Sequence, residues 1–232
     1  MRLKVELHAH TSDDPKDLIP YSAGDLIDRA AALGYHAIAI TLHDKQLDIQ
    51  PLLDHARARG VVLIPGVERS IESCNVLLIN FSAASEAVES FEDLAAIRRR
   101  EPGLVIAPHP FYPGSSGLGR LADRNVALID AIEIHSFHPR GMDMFNDRAR
   151  RWADAHGKPL VGNSDVHRLT QLGTTYSIVD ADPTPQSICE SIRAGRVEVH
   201  SKPLGWVRLS LLLGSMWAAE LRSRTGRRHA SP

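Results

Sequence analysis

The chain is poor in cysteine. It has only Cys74 and Cys189, with no CxxC spacing, which excludes a disulfide framework and a cysteine-rich structural zinc. It also lacks an excess of charge: 27 Lys and Arg stand against 28 Asp and Glu, a net charge of -1. That leaves no global basic field of the kind duplex-binding proteins show, so a charged small ligand would need a local site. Nor is there a long apolar run. The most apolar late stretch, LGWVRLSLLLGSMWAAEL (204–221), is interrupted by Arg208 and Ser210 and falls short of the about 20 residues a spanning helix needs. The charged start MRLKVELH runs straight into polar residues instead of a secretory leader, and the expectation is a reduced, cytoplasmic protein. Internal repeats, a G-x-S-x-G elbow and a P-loop are absent too, so neither a serine nucleophile nor a phosphate-cradling loop is expected.

What is present is an alternation. Short Val/Ile/Leu-rich runs recur at LKVEL (3–7), AIAIT (37–41), VVLIP (61–65), VLLINF (76–81), LVIAP (104–108), AIEI (131–134), PLVG (159–162) and YSIVD (176–180). Their length and composition suit buried parallel strands. Helical patterns lie between them. SAGDLIDRAAALG opens on a Ser22–Asp25 capping pattern and stops at Gly34, and IQPLLDHARARG stops at Gly60. MDMFNDRARRWADAHG stops at Gly157, and TPQSICESIRAG has Thr184 as N-cap, Pro185 at the first helical position and Gly195 beyond the end. The 232 residues fit one domain. The expected class is α/β with a mostly parallel sheet, in which ligands sit beyond the carboxyl ends of the strands.

Those ends are rich in metal-binding side chains. ELHAHTSDD (6–14) closes the first run with two histidines one residue apart; with 12 histidines in the chain, chance alone supplies about 0.6 H-x-H triplets, so the triplet needs context. On a strand, Glu6, His8 and His10 share one face and Val5, Leu7 and Ala9 the other. The further runs end in TLHD, PGVE, APHP and GNSDVH, adding His43, Glu68, His109, Asp165 and His167. Several ionisable groups converging on one sheet edge would repel or be desolvated at a cost of several kcal/mol, a conflict divalent cations resolve. Imidazole and carboxylate without thiolate suit Zn, Mn or Fe at an open, catalytic site.

The ordered set HAH, TLHD, GVE, APHP and SDVH, over roughly residues 3–200, resembles the PHP (polymerase and histidinol phosphatase) family of metal-dependent phosphoesterases. The opening HAHTSDDPKDLIPYSAGDLIDRAAALGY is similar to standalone bacterial members. The resemblance implies a distorted (β/α)7 barrel with two or three divalent ions at the carboxyl ends of the strands. It assigns His8, His10, Glu68 and Asp165 to the first ion. It has Glu68 bridge to a second ion with His109, and gives the third to His43, His167 and Asp14, taken over Asp13. One departure stands out: after GVE the family places a histidine where this chain has Asn75. Asn75 could offer a carbonyl oxygen, which favours a harder ion such as Mn over Zn, or His135 or His138 could substitute.

The reaction expected is hydrolysis of a phosphate ester by a metal-bridging hydroxide, since clustered ions activate water and neutralise phosphoryl charge without a protein nucleophile. Arg140 and Arg168 are the preferred phosphate-binding cations, ahead of Arg69 and Lys45. The expected partners are a small phosphorylated metabolite, a nucleotide or a short single-stranded oligonucleotide, without duplex nucleic acid; a homo-oligomer is compatible. Two other readings are an amidohydrolase-like C–N hydrolase, disfavoured by His43 and the SDVH pair, and a non-catalytic metal-binding remnant, favoured only by Asn75. His36, His55, His156, His200 and His229 fall away from the ligand edge. Residues 1–201 form the expected catalytic domain. Residues 202–232 read as an amphipathic helix around Trp206, Leu209, Leu213 and Trp217, packed on or appended to the barrel, with a basic tail; a dimer contact or a membrane-surface helix is the alternative.

Overall fold

The computed structural model describes residues 1–112, 116–135 and 143–202. The positions of Arg140, His138 and His229, part of the loop FYPGSSGLGR, and the expected helix beyond Lys202 lie outside them.

Strand β1 (Arg2–Glu6) leads to helix α1 (Ala23–Ala32) and β2 (Ala37–Ile40). A short 3-10 turn opens α2 (Leu53–Ala58), and β3 (Val62–Ile71) and β4 (Cys74–Ile79) follow. Then come α3 (Phe91–Arg98), β5 (Leu104–Ala107), α4 (Leu121–Arg124), β6 (Ala131–His135), α5 (Met144–His156) and β7 (Leu160–Asn163). The order closes with β8 (Thr175–Asp180), α6 (Pro185–Arg193) and β9 (Val197–Ser201). The caps arise from the expected residues. Ser22 and Asp25 form a reciprocal capping box on α1, Gly157 ends α5 at φ 62°, and Thr184 accepts from the Ser187 N–H ahead of α6.

All eight expected strands exist, with β9 in addition. The sheet runs β7-β6-β5-β4-β3-β2-β1-β8-β9. Edge strand β7 meets the far side of the sheet where the Ser177 hydroxyl of β8 accepts from the Gly162 N–H at 2.8 Å, giving a nearly closed barrel. The expected dominance of parallel pairing is corrected: β1–β8, β3–β4, β4–β5 and β8–β9 are antiparallel. The cause at β3–β4 is local. Glu72 and Ser73, at φ 47° and 69°, make a two-residue turn that joins the strands as a hairpin, so β3 runs on well past Pro65 and carries Glu68 within the strand.

Alternation sets the layers. Leu3, Val5, Leu7, Ala37, Ala39, Ile64, Leu77, Ile106 and Val161 fill the barrel, while Ile38 and Ile40 pack outward against Leu26, Ile27 and Ala30 of α1. On β6, Ile132 and Ile134 face Ala149, Trp152 and Ala153 of α5. Helix α6 seals the amino-terminal end with Ile188, Cys189 and Ile192, anchored by Arg193 on the Gly103 carbonyl. Apolar packing therefore closes one end, and polar side chains are left to meet at the other.

Candidate metal centre

The strand alternation expected for Glu6 to His10 stops at Leu7. Ala9 joins the outer cluster with Tyr21 and Val166, and its neighbours become a bridge to the β7 end, with His10 N–H donating to the Val166 carbonyl and Val166 N–H to the His8 carbonyl. Glu6 parts from the histidines: its carboxylate accepts the Ser164 and His8 backbone N–H groups. Tying β1 to β7 in this way brings residue 8 beside residue 165.

The first expected set is gathered tightly. His8 Nε2 lies 3.4 Å from Glu68 Oε2 and 3.3 Å from Asp165 Oδ1, and His10 Nε2 lies 3.4 Å from each. Donors bound tetrahedrally at about 2.1 Å stand about 3.4 Å apart, so this spacing fits an ion between them. His8 Nε2, His10 Nε2 and Asp165 Oδ1 are buried and make no hydrogen bond, an arrangement that is costly unless a cation satisfies it. Asp165 is held at φ 48° and His109 at φ 29°, unusual backbone of the kind that clusters at functional sites.

Glu68 faces two ways. Its Oε2 meets His8, His10 and, at 3.2 Å, His43 Nε2; its Oε1 lies 3.5 Å from His109 Nε2. The Asn75 amide donates to Oε1 at 2.6 Å, so it holds the carboxylate instead of presenting its own oxygen. His135 approaches Asp165 Oδ2 at 3.8 Å, on the first set's side.

The acidic loop sets Asp14 against His10 and His43, and the three form a group whose ligand atoms are close enough to hold an ion. That carboxylate receives His10 Nδ1, His43 Nδ1 and the backbone N–H groups of His43, Lys16 and Asp17. Asp13 only accepts from Thr11. Asp17, not singled out from the sequence, is 3.0 Å from His167 Nε2 and 3.8 Å from His43 Nδ1.

Of the cations, half-buried Arg168 sits beside the cluster with its guanidinium on the His167 carbonyl. Arg69 is turned away, binding the Val88 carbonyl and the Asp44 carboxylate, and Lys45 is exposed. Gln171, also unforeseen, clamps the late ligand loop. Its amide oxygen accepts the His167 and Arg168 N–H groups and its NH2 donates to the Asp165 carbonyl.

The electrostatics are those of a site built for positive charge. Burial would lower His8, but Asp165, Glu133 and Glu68 raise it well above its ordinary value, and Asp165 and Asp17 do the same for His167. His43 and His109 are raised against burial by Asp14 and Glu68 respectively. Burial would raise Glu68 and Asp165, yet neighbouring imidazoles hold both well below. Burial pushes Glu6 up to about 8 despite its bonds from Ser164 and His8. Burial also takes His135 down to about 4 against the pull of Asp165, so it is neutral at neutral pH.

Without metal, then, the raised imidazoles stabilise the fold fully below their unfolded value of about 6.5 and lose that contribution as pH rises through their folded values. Glu6 adds the same slope between its ordinary value of 4.5 and about 8. Metal binding needs those imidazoles deprotonated, so its contribution rises with pH. We expect the Tm of chelator-treated protein to fall as pH rises above about 6.5 while the Tm gained from added Mn or Zn grows. Thermal unfolding across pH checks this, and parallel curves would refute it.

The chain is therefore a nearly closed α/β barrel with imidazoles and carboxylates gathered at the carboxyl ends of its strands in groups spaced to hold metal ions. The resemblance to the PHP family is borne out in sequence, where a PHP-associated family model matches residues 143–197. DNA polymerase III PolC-type from Streptococcus pyogenes is 41% identical over 68 residues, 29% of this chain but 5% of the polymerase. The chain thus spans a small fraction of the curated relatives it matches. Among solved structures, PsfC from Pseudomonas syringae is similar over 94% of this chain and 98% of its own, with a TM-score of 0.68 and 18% identity. A protein assigned as a metal-dependent phosphoesterase from Bifidobacterium adolescentis gives a TM-score of 0.57 at 15% identity over 71% and 87% of the two chains. Endonuclease Q from Pyrococcus furiosus gives 0.60 at 18% over 86% and 58%. At such identities the likeness is one of fold. The fold also occurs in an amidohydrolase from Chromobacterium violaceum (TM-score 0.56, 17% identity, 89% and 96% covered), so it does not by itself choose between P–O and C–N hydrolysis. Endonuclease Q has been seen with a 27-mer duplex, and the expectation against duplex nucleic acid gains no support from the fold. Among the described residues no helix is long and apolar enough to cross a membrane.

Proposed function

We propose that the chain is a metal-dependent phosphoesterase acting on a small phosphorylated metabolite, a nucleotide or a short oligonucleotide. The observation that carries this is Glu68, one carboxylate whose two oxygens face different histidine groups. This is the arrangement of a site for adjacent divalent ions. His8, His10, Glu68 and Asp165 would hold the first ion, and Glu68 with His109 the second. Asp14, which shares with His10 and His43 one of the groups spaced to hold an ion, would hold the third with His43 and His167, and Asp17 stands beside it 3.0 Å from His167 Nε2.

When bound, such ions lower the pKa of water and neutralise charge on phosphoryl oxygens. The chain supplies the rest. Its strand ends hold the donors at fixed spacing. Arg168 offers a bidentate donor to a phosphate oxygen pair, a role also expected of Arg140. The amidohydrolase-like alternative is weakened by the His43, His167 and Asp17 group, which adds carboxylate and imidazole beyond the first set.

The test is direct. Purified protein supplied with Mn or Zn is assayed against p-nitrophenyl phosphate, bis-p-nitrophenyl phosphate, nucleotide bisphosphates and short oligoribonucleotides. Metal-dependent phosphate release is expected. Tightly bound stoichiometric metal with no turnover of any of them would overturn the reading.

A further inference from the structure

We infer that Glu133 is a positioning residue that holds the first and second ligand sets together from the inner face of β6. The inference rests on the metal-centre reading above. Glu133 is 1% exposed, flanked in its strand by Ile132 and Ile134, a costly place for a carboxylate unless its hydrogen bonds are complete. They are: Oε1 meets His8 Nδ1 at 2.9 Å and accepts the Asn163 amide at 2.9 Å, and Oε2 accepts the His109 backbone N–H at 2.9 Å. Asn163 is itself fixed, since its oxygen accepts the Leu7 N–H at 3.0 Å.

Two consequences follow from this geometry. An ionised carboxylate only accepts, so a neutral, ligating His8 must carry its proton on Nδ1, leaving the lone pair on Nε2, the atom that faces Glu68 and Asp165. The second oxygen pins the backbone of His109 at its unusual φ of 29°, which sets where that imidazole meets Glu68. One carboxylate thus fixes the tautomer of a first-set ligand and the backbone of a second-set ligand. His10 has a matching partner in Asp14, so each histidine of the H-x-H triplet is held through Nδ1 by a buried acid. Such partners tune metal affinity.

A glutamine of the same shape cannot substitute. Turned one way, its NH2 faces the His8 Nδ1 and Asn163 donors and draws the His8 proton to Nε2, converting the ligand atom into a donor. Turned the other way, it faces the His109 N–H. Either way one donor meets another.

The experiment is Glu133→Gln, with Mn and Zn affinity measured by competition with a chromophoric chelator, metal content by elemental analysis and fold by circular dichroism. Metal affinity roughly 10- to 100-fold weaker than wild type is expected in a folded variant. Tight binding in wild type and folded variant alike overturns this inference alone; no metal binding by the wild type overturns the metal-centre reading and this inference with it. Should the variant fail to fold, long-range ¹H–¹⁵N correlation spectra of the Zn-loaded wild type decide. A His8 proton on Nδ1 supports the inference, and one on Nε2 overturns it.

Discussion

Replacing Glu68 by Gln is expected to cut kcat/KM by roughly a thousandfold or more, equivalent to about 4 kcal/mol of lost transition-state stabilisation. The side chain keeps its size and its place between His8, His10, His43 and His109. It loses the charge, and one oxygen becomes an NH2 that can ligate nothing. Asn75, which donates to Oε1, would keep whichever oxygen remains on its own side and turn the new NH2 toward the three imidazoles. Elemental analysis should show fewer bound ions in the purified variant, and steady-state assays with saturating Mn should not restore the rate. Activity within tenfold of wild type at full metal content would refute the bridging role. Asp165→Asn is the companion variant for the first set alone.

The second large effect is structural. Gly162 lies in β7 where the two edges of the sheet meet, and a Cβ there would stand 2.8 Å from Val199 Cγ1, 2.9 Å from Thr175 Cγ2 and 2.9 Å from the Tyr176 carbonyl. Backbone cannot yield as a flexible side chain can. Gly162→Val is expected to destabilise the fold by about 3 kcal/mol, the upper end for overpacking, and to lower Tm by roughly 6–12 °C for a domain of this size. Because Asn163 and Asp165 follow directly, metal affinity should fall with it. Thermal unfolding of chelated protein checks the first part, and an unchanged Tm would show that the barrel edges separate freely.

Much of the barrel was legible because buried strands announce themselves as short branched apolar runs and helices by their caps. The Ser22–Asp25 box and Thr184–Pro185 start formed as read. The antiparallel pairing was harder. VVLIP and VLLINF are separated by too short a stretch for a crossover helix, a signal that the mostly parallel reading passed over. Strand-end chemistry pointed to eight candidate ligands because α/β topology fixes where such ends meet, and the structure brings His8, His10, Glu68 and Asp165 together. The acidic loop was not legible in the same way. Asp13, Asp14 and Asp17 sit in an aperiodic segment, and which of them turns toward His43 and His167 depends on a turn closed by Asp14 N–H on the Thr11 carbonyl and Ser12 N–H on the Tyr21 carbonyl. Glu133 was hidden by its setting, since AIEI reads as one more apolar strand. A lone acid in such a run is itself the clue, because burial tolerates it only with partners waiting.

The tie between β1 and β7 also bears on when the centre comes into being. His8, His10, Asp14, His43, Glu68 and His109 all precede residue 110, but Asp165 and His167 arrive only with the loop after β7. A chain emerging amino end first carries most of the donors long before it owns a site. Its early imidazoles and carboxylates can hold ions only loosely until the last parallel strand docks. On the proposed metal-centre reading, capture of an ion would be deferred to the closing of the barrel, and tight binding would report that folding has finished.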